Sequence, residues 1–225
     1  ELKDWGFADE DLKFETPETE GNIEDDEIPE VKEAFVKKGD IWILGEHRVM
    51  CGDSTNEADV ALLMEGQKAD MVFTDPPYNV QINYNQHKDD LSNNEYIEFS
   101  KKWFKLSKSV CNQILFTPGF GRGKGMPNLQ MWNKIQIPDW IIVWVKTNAM
   151  SRSSLGGFNN WEPILFYGKN KNKLPQDIFD HPITVQQDVS DKTGGKLHPT
   201  PKQVDLWVKA IDILTDKLDV VYDPF

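Results

Sequence analysis

The apolar positions along this chain fall into two textures. Up to about residue 35 they are sparse and aperiodic. Thr16-Pro17 and the run Glu24-Asp25-Asp26-Glu27 read there as linker, with room for one short helix around Asp9–Phe14. From Gly39 onward short apolar runs alternate with helical periods. Asp40–Leu44 and His47–Met50 predict two strands, with Gly45-Glu46 as the turn. Val60, Leu62 and Leu63 predict a helix over Glu57–Glu65, and Ala69–Thr74 predicts a short buried strand. Residues 81–92 are polar and read as a loop. Tyr96, Phe99, Trp103, Phe104 and Leu106 then share one side of a helix over Asn93–Cys111. Gln113–Thr117 reads as a strand and glycine-rich Gly119–Gly125 as a loop. Trp140–Val145 and Pro163–Tyr167 read as strands, and Trp161 as core. Lys169–Lys196 is polar with scattered glycine and proline. Lys202–Leu214 predicts a helix with Val204, Trp207, Val208 and Ile211 inward, and Leu218–Tyr222 a last buried strand. Strands alternating with helices predict an α/β fold with a mainly parallel sheet covered on both faces. Ligands bind such sheets at the carboxyl ends of strands.

Composition narrows the class. The 225 residues allow one sizeable domain plus extensions, and 39% hydrophobic with 11% aromatic residues excludes a disordered chain. No apolar run approaches the roughly 18 residues of a membrane-spanning helix. The chain opens on Glu1 and reads as neither signal nor transit peptide, which points to a fragment or trimmed chain. Cys51 and Cys111 form no CxxC pair, so a zinc site on cysteine pairs is excluded and no metal is expected. The net charge of -12 is unevenly spread. Residues 1–40 hold 15 acidic and 5 basic side chains, whereas residues 101–225 hold 11 and 17. The acid therefore sits mainly in the N-terminal arm, and the basic second half is compatible with phosphate contacts or with a solvated surface.

The strongest chemical signal is Asp75-Pro76-Pro77-Tyr78 at the end of a predicted strand. Two prolines fix two φ angles and remove two amide donors. The resulting stiff turn presents backbone carbonyls, a carboxylate from Asp75 and a flat ring from Tyr78. Those parts suit methylation of an exocyclic amine on a base. Asp75 and the Pro76 carbonyl can accept its N–H bonds and orient its lone pair, and Tyr78 can stack on a base that has left the duplex. The plainer alternative is a rigid turn without chemistry.

Four segments together resemble the permuted bacterial and phage DNA adenine/cytosine amino-methyltransferases, in which the catalytic motif precedes the cofactor motif. They are Leu44–Arg48 leading to Cys51-Gly52-Asp53-Ser54, then Asp75–Tyr78, His198-Pro199-Thr200-Pro201-Lys202, and Asp223-Pro224-Phe225. The resemblance runs over roughly residues 39–225. It implies a Rossmann-like, mainly parallel sheet of the S-adenosylmethionine-dependent methyltransferase type, seven strands with one antiparallel. It also implies S-adenosylmethionine as cofactor, held by Asp53, Ser54, Asp75, His198, Thr200, Lys202, Asp223, Pro224 and Phe225. The plainer alternative for Asp53 and Ser54 is an Asx turn before a helix, and the segment from His198 to Lys202 can at the same time be a helix N-terminus, which suits a carboxylate. Gln203 stands where the family usually has proline. The family continues Asp223-Pro224-Phe225 into a glycine-rich loop, so the chain is expected to be incomplete at its C-terminus and to bind the cofactor weakly by itself.

The resemblance implies double-stranded DNA as partner. Asp-Pro-Pro-Tyr goes mostly with adenine N6, and N4 of cytosine stays open. Target recognition is expected within residues 119–197, with Arg122, Lys124, Lys146 and Arg152 as candidate DNA contacts. Residues 1–38 read as an acidic linker or the tail of an upstream ParB-like domain, and residues 39–225 as the catalytic domain. A cytoplasmic bacterial or phage-infected setting is expected. A homodimer and a restriction endonuclease partner are left open. Methylation of RNA or of protein release factors fits less well, because those enzymes usually carry the cofactor motif first. A catalytically inactive DNA-binding remnant is the remaining alternative.

Overall fold

Strand alternation sets the architecture. In a computed structural model that describes residues 35–80, 89–120, 125–149, 156–182 and 204–225, eight strands and four helices follow one another. The chain divides into two compact units, Glu1–Lys37 and Lys38–Phe225, and the second holds all of these elements.

It begins with a hairpin of β1 (Ile41–Leu44) and β2 (His47–Met50), paired antiparallel with Leu44 opposite His47. Gly45 has φ +64, the conformation that the first position of a tight hairpin turn requires. Arg48 of β2 forms an ion pair with Glu65 at the end of α1 (Glu57–Met64). The Asn56 side chain caps α1 by accepting from the Ala58 amide at 2.9 Å.

The main sheet has six strands in the order β7-β5-β6-β4-β3-β8. These are β3 (Met71–Thr74), β4 (Gln113–Phe116), β5 (Trp140–Val145), β6 (Trp161–Gly168), β7 (Ile178–Asp180) and β8 (Val221–Tyr222). β3 pairs parallel with both β4 and β8, and β5 parallel with β7. Only β6 runs against its neighbours. The sheet is thus mainly parallel, as the patterning predicts, with the one antiparallel strand that the resemblance implies.

Successive residues of a strand point to opposite faces, and each face has its own cover. Val72, Ile114, Phe116, Leu165 and Tyr167 meet α1, α2 (Asn93–Val110) and α3 (Gly125–Ile135) through Val60, Met64, Trp103, Phe104 and Trp132. Met71, Phe73, Leu115, Ile142 and Ile164 meet α4 (Val204–Leu214) through Leu206, Ala210 and Leu214. Helix α2 starts with a capping box, in which Ser92 Oγ accepts from the Glu95 amide and Glu95 Oε2 accepts from the Ser92 amide at 2.9 Å.

Several elements differ from the patterning. Helix α3 and strand β7 were not expected; they fall on or beside stretches read as loop or polar. Leu218 is no strand residue. It turns the chain at φ +78 and is 85% exposed, because Asp219 caps the Asp216 amide there and the strand is confined to Val221–Tyr222. The buried stripe of α4 is Leu206, Ala210 and Leu214. Val204 and Val208 point outward, while Trp207 stacks on Phe73 with ring centroids 3.9 Å apart. Trp161 is 41% exposed and packs on Phe120, so it is an edge residue and not core. The short helix considered around Asp9–Phe14 lies outside the described residues.

Where β4 and β6 meet, Gly168 (φ +102) sits opposite Gln113, and a Cβ there would lie 1.7 Å from the Asn112 carbonyl oxygen. Backbone cannot move aside as a side chain can. Gly168→Ala is therefore expected to lower stability by at least ~2 kcal/mol, read as a lower urea midpoint with an unchanged denaturant slope.

Candidate active site

Parallel pairing brings the carboxyl ends of β8, β3 and β4 side by side. The residue after each strand is Asp223, Asp75 and Thr117 respectively. Strand β6 runs the other way, so its first residues Trp161 and Glu162 join the same edge, next to Lys146 just beyond β5.

Asp75 sits at the centre. Its Oδ1 accepts from Thr117 Oγ1 at 2.8 Å and from the Tyr78 hydroxyl, and those two hydroxyls lie 2.5 Å apart. The Tyr78 phenol is held well above its ordinary pKa, first by burial and then by the adjacent Asp75 charge. Pro76 and Pro77 carry the backbone around, and the Pro77 carbonyl accepts from the Tyr96 hydroxyl of α2 at 3.0 Å. Asn79 follows at φ +55, a conformation that asparagine tolerates better than most residues. Asp89 holds this turn by accepting from the Asn79 and Val80 amides at 2.8 and 2.9 Å, and Asn79 donates to the Leu91 carbonyl at 2.8 Å. The turn is thus fixed from three sides.

Gly119 explains the seat of Tyr78. It has φ +74, and a Cβ would lie 2.5 Å from Tyr78 Cγ, so the ring lies directly on the glycine backbone. Asn128 of α3 secures that backbone by donating to the Pro118 and Gly119 carbonyls at 2.8 and 3.1 Å. A cavity of about 420 Å³ opens beside Tyr78 and Asn79 between α2 and α3, lined also by Tyr96, Lys101 and Lys134.

On the other side of Asp75, Asp223 Oδ1 accepts from Thr74 Oγ1 at 2.6 Å and from the Phe225 amide at 3.1 Å. Desolvation of its carboxyl against the strand ends, with the Asp75 charge adding to it, holds its pKa above the ordinary carboxylate value. Phe225 packs against Phe99 and Trp103 of α2. The edge therefore joins Asp75, Pro76, Pro77 and Tyr78 to Asp223, Pro224 and Phe225.

The remaining candidates are distributed differently. Asp53 Oδ1 accepts from the Thr55 amide and hydroxyl at 2.8 and 2.7 Å, which is the Asx turn weighed as the alternative; Ser54 lies within it. Burial raises the Asp53 pKa, but the two Thr55 bonds together with the charges of Lys38 and Lys102 leave the group lowered. Its side-chain bonds stay within that turn. Lys146 requires a correction as a DNA contact. It is 4% exposed and pairs with Glu162 at 2.8 Å, so its charge is satisfied inside the protein and not offered to phosphate. Arg122, Lys124, Arg152, His198, Thr200 and Lys202 lie outside the described residues. Thr117, Gly119, Asn128, Asn79 and Asp89 were not singled out from the sequence. Asn79, directly after the Asp-Pro-Pro-Tyr run, was the one with a local signal. Among the described residues no group of three or more His, Cys, Asp or Glu side chains could hold a metal ion, and no helix is long and apolar enough to cross a membrane.

A mainly parallel, doubly covered sheet with a diproline turn and two carboxylates at the carboxyl ends of adjacent strands defines an α/β protein with its ligand edge at those strands. The chain belongs to the N6_N4_Mtase family, described as DNA methylase, whose family model matches residues 69–225. It is 26% identical over 208 residues to the Type II methyltransferase M.HpaI of Haemophilus parainfluenzae, covering 80% of this chain and 63% of that protein. It is 43% identical over 50 residues to the Type II methyltransferase M.MjaVI of Methanocaldococcus jannaschii, covering 22% of this chain and 26% of that protein. The chain thus spans less than two thirds of the length of these relatives. Among solved structures it is similar to the M1.HpyAVI-SAM complex, at 20% identity and a TM-score of 0.45 over 77% of this chain and 79% of that one.

Two predictions follow, one from the ion pair at this edge and one from the buried tyrosines of the fold. Removing one member of a buried ion pair strands the other charge, which costs about 3 kcal/mol or more. Glu162→Gln is expected to destabilise by that order, and Lys146→Met combined with Glu162→Leu to recover at least half of it, read by thermal unfolding. Tyr78, Tyr96, Tyr167 and Tyr222 all have raised pKa values. The native state then binds more protons than the unfolded chain once pH passes the ordinary tyrosine value of 10.0. Stability falls as pH rises through that window, and most tyrosinate absorbance is expected to arrive together with unfolding.

Proposed function

We propose that this chain carries the catalytic part of a DNA methyltransferase that transfers a methyl group from S-adenosylmethionine to the exocyclic N6 of an adenine flipped out of the duplex. One observation carries the reading: Asp75-Pro76-Pro77-Tyr78 lies at the carboxyl end of β3, one strand from Asp223-Pro224-Phe225, in a chain of a DNA methylase family.

The residues at this edge fit the cofactor. Asp223 offers a carboxylate to amine or hydroxyl donors, Pro224 removes a competing amide, and the 44% exposed Phe225 ring gives an apolar surface beside Phe99. Carboxylate acceptor and aromatic surface together suit an adenosine. Asp223, Pro224 and Phe225 would hold it here. By the family resemblance His198, Thr200 and Lys202 would add to them, as would Asp53 and Ser54. When bound, the cofactor supplies an electrophilic methyl on a sulfonium. Asp75 accepts an N–H of the target amine, the Pro76 carbonyl accepts the other, and together they direct the nitrogen lone pair toward that methyl. The missing amides of Pro76 and Pro77 leave no backbone donor of the turn itself to compete for those acceptors, and the Thr117 and Tyr78 hydroxyls both reach Asp75 Oδ1. The ring of Tyr78 supplies a flat surface for the extruded base.

Asp75 favours adenine, since the family mostly pairs this motif with adenine N6. Arg122, Lys124 and Arg152 remain the basic candidates for contact with DNA, without Lys146. The test is to incubate the methyltransferase in its full reading frame with unmodified DNA and S-adenosylmethionine and to identify methylated nucleosides by mass spectrometry. N6-methyladenine is expected, falling at least ~100-fold in Asp75→Ala. N4-methylcytosine would overturn the choice of base, and no methylated nucleoside the reaction itself.

A further inference from the structure

The Asp75 carboxylate is bound by a residue that the motif does not contain. Thr117 follows β4 directly, is 2% exposed, and extends the β3–β4 pairing through its amide to the Thr74 carbonyl at 3.3 Å. Its side chain thus has a fixed origin. Its hydroxyl reaches both Asp75 Oδ1 and the Tyr78 hydroxyl. Three contacts join these oxygens, but an ionised Asp75 leaves only two hydroxyl protons to fill them. Either both hydroxyls donate to Asp75, or one donates to the other and the second donates onward. Wherever Thr117 donates to Asp75, the carboxylate torsion is set from a neighbouring strand.

We infer that Thr117 is a positioning residue for Asp75. The inference rests on the methyltransferase reading above. The hydroxyl of Thr117 holds the carboxylate in the orientation from which it accepts the amine N–H. It also keeps that orientation when the Tyr78 ring meets a base. Asp75 by itself can rotate about its last side-chain bond, a broad torsion with little intrinsic preference. The second strand removes that freedom, and the geometry of the amine depends on it.

Thr117→Val keeps the shape and loses the hydroxyl, while Thr117→Ser keeps the hydroxyl and loses the methyl. The enzyme in its full reading frame is expected to lose kcat on the order of 10-fold in Thr117→Val, with KM for DNA within about twofold. Thr117→Ser is expected to restore kcat to within about threefold, even with a lower Tm from the lost methyl. A crystal structure of Thr117→Val is expected to show the Asp75 carboxylate turned from its present position. A Thr117→Val kcat within about twofold of the wild type, a Thr117→Ser as slow as Thr117→Val, or an unmoved carboxylate would each overturn the inference. Failure of the functional reading looks different. A wild type that methylates no DNA, with the carboxylate still turned in Thr117→Val, removes the reaction and with it the positioning role.

Discussion

The hydrogen bond from Thr74 to Asp223 spans 149 residues of sequence, and the site depends on the register behind it. Met71 lies opposite Val221 and Val72 opposite Tyr222, so Asp223 follows on alongside the last residues of β3 and meets the Thr74 hydroxyl. A parallel ladder allows this only when the intervening chain returns to the same end of the sheet. Here α2, β4, α3, β5, β6, β7 and α4 all intervene. Once the two strands are paired in this register, Asp75 and Asp223 share an edge and an electrostatic environment, which is why the charge of one bears on the titration of the other.

The site is held by acceptors and donors drawn from many elements, while the motif itself is only four residues long. Tyr96 of α2 reaches the Pro77 carbonyl, Asp89 clamps the amides after Tyr78, and Asn128 of α3 holds the glycine under its ring. A diproline turn has few amide donors of its own, so its outer carbonyls and the amides that follow need such partners. Tight anchoring of the flanks makes a rigid turn around Asp75, the condition under which positioning would contribute to rate in the proposed reaction. The Lys146–Glu162 pair at the same edge is a different kind of element. Buried charges seldom improve stability over apolar residues; what this pair does is close the edge between β5 and β6 without an unpaired charge.

The elements legible in the sequence were those with strong local signals. Four-residue apolar runs bounded by turns gave β3 and β4, and α2 was legible through its aromatic stripe, which lies inward as its spacing requires. Helix α3 was missed because glycine and proline at its start masked a helical spacing of Leu129, Trp132 and Ile135. Strand β7 was missed because three residues in a polar stretch carry no period. It exists through pairing with β5, and its one buried residue is Phe179. The inward face of α4 was misread because valines look apolar wherever they stand, whereas the sheet selected the stripe through Ala210, small enough to lie close against it.

By itself the sequence determined the α/β class, the strand that ends in Asp75-Pro76-Pro77-Tyr78 and the kinship with DNA methylases, since each rests on local period or on residue types in fixed order. Only the tertiary structure decided which residues complete the site. Thr117 and Gly119 are ordinary in sequence, and become significant because parallel pairing sets β4 beside β3. Lys146 reads as a free basic residue until antiparallel pairing of β5 with β6 brings Glu162 to it. Contacts across strands depend on register, and register is a property of the assembled sheet, not of any one segment.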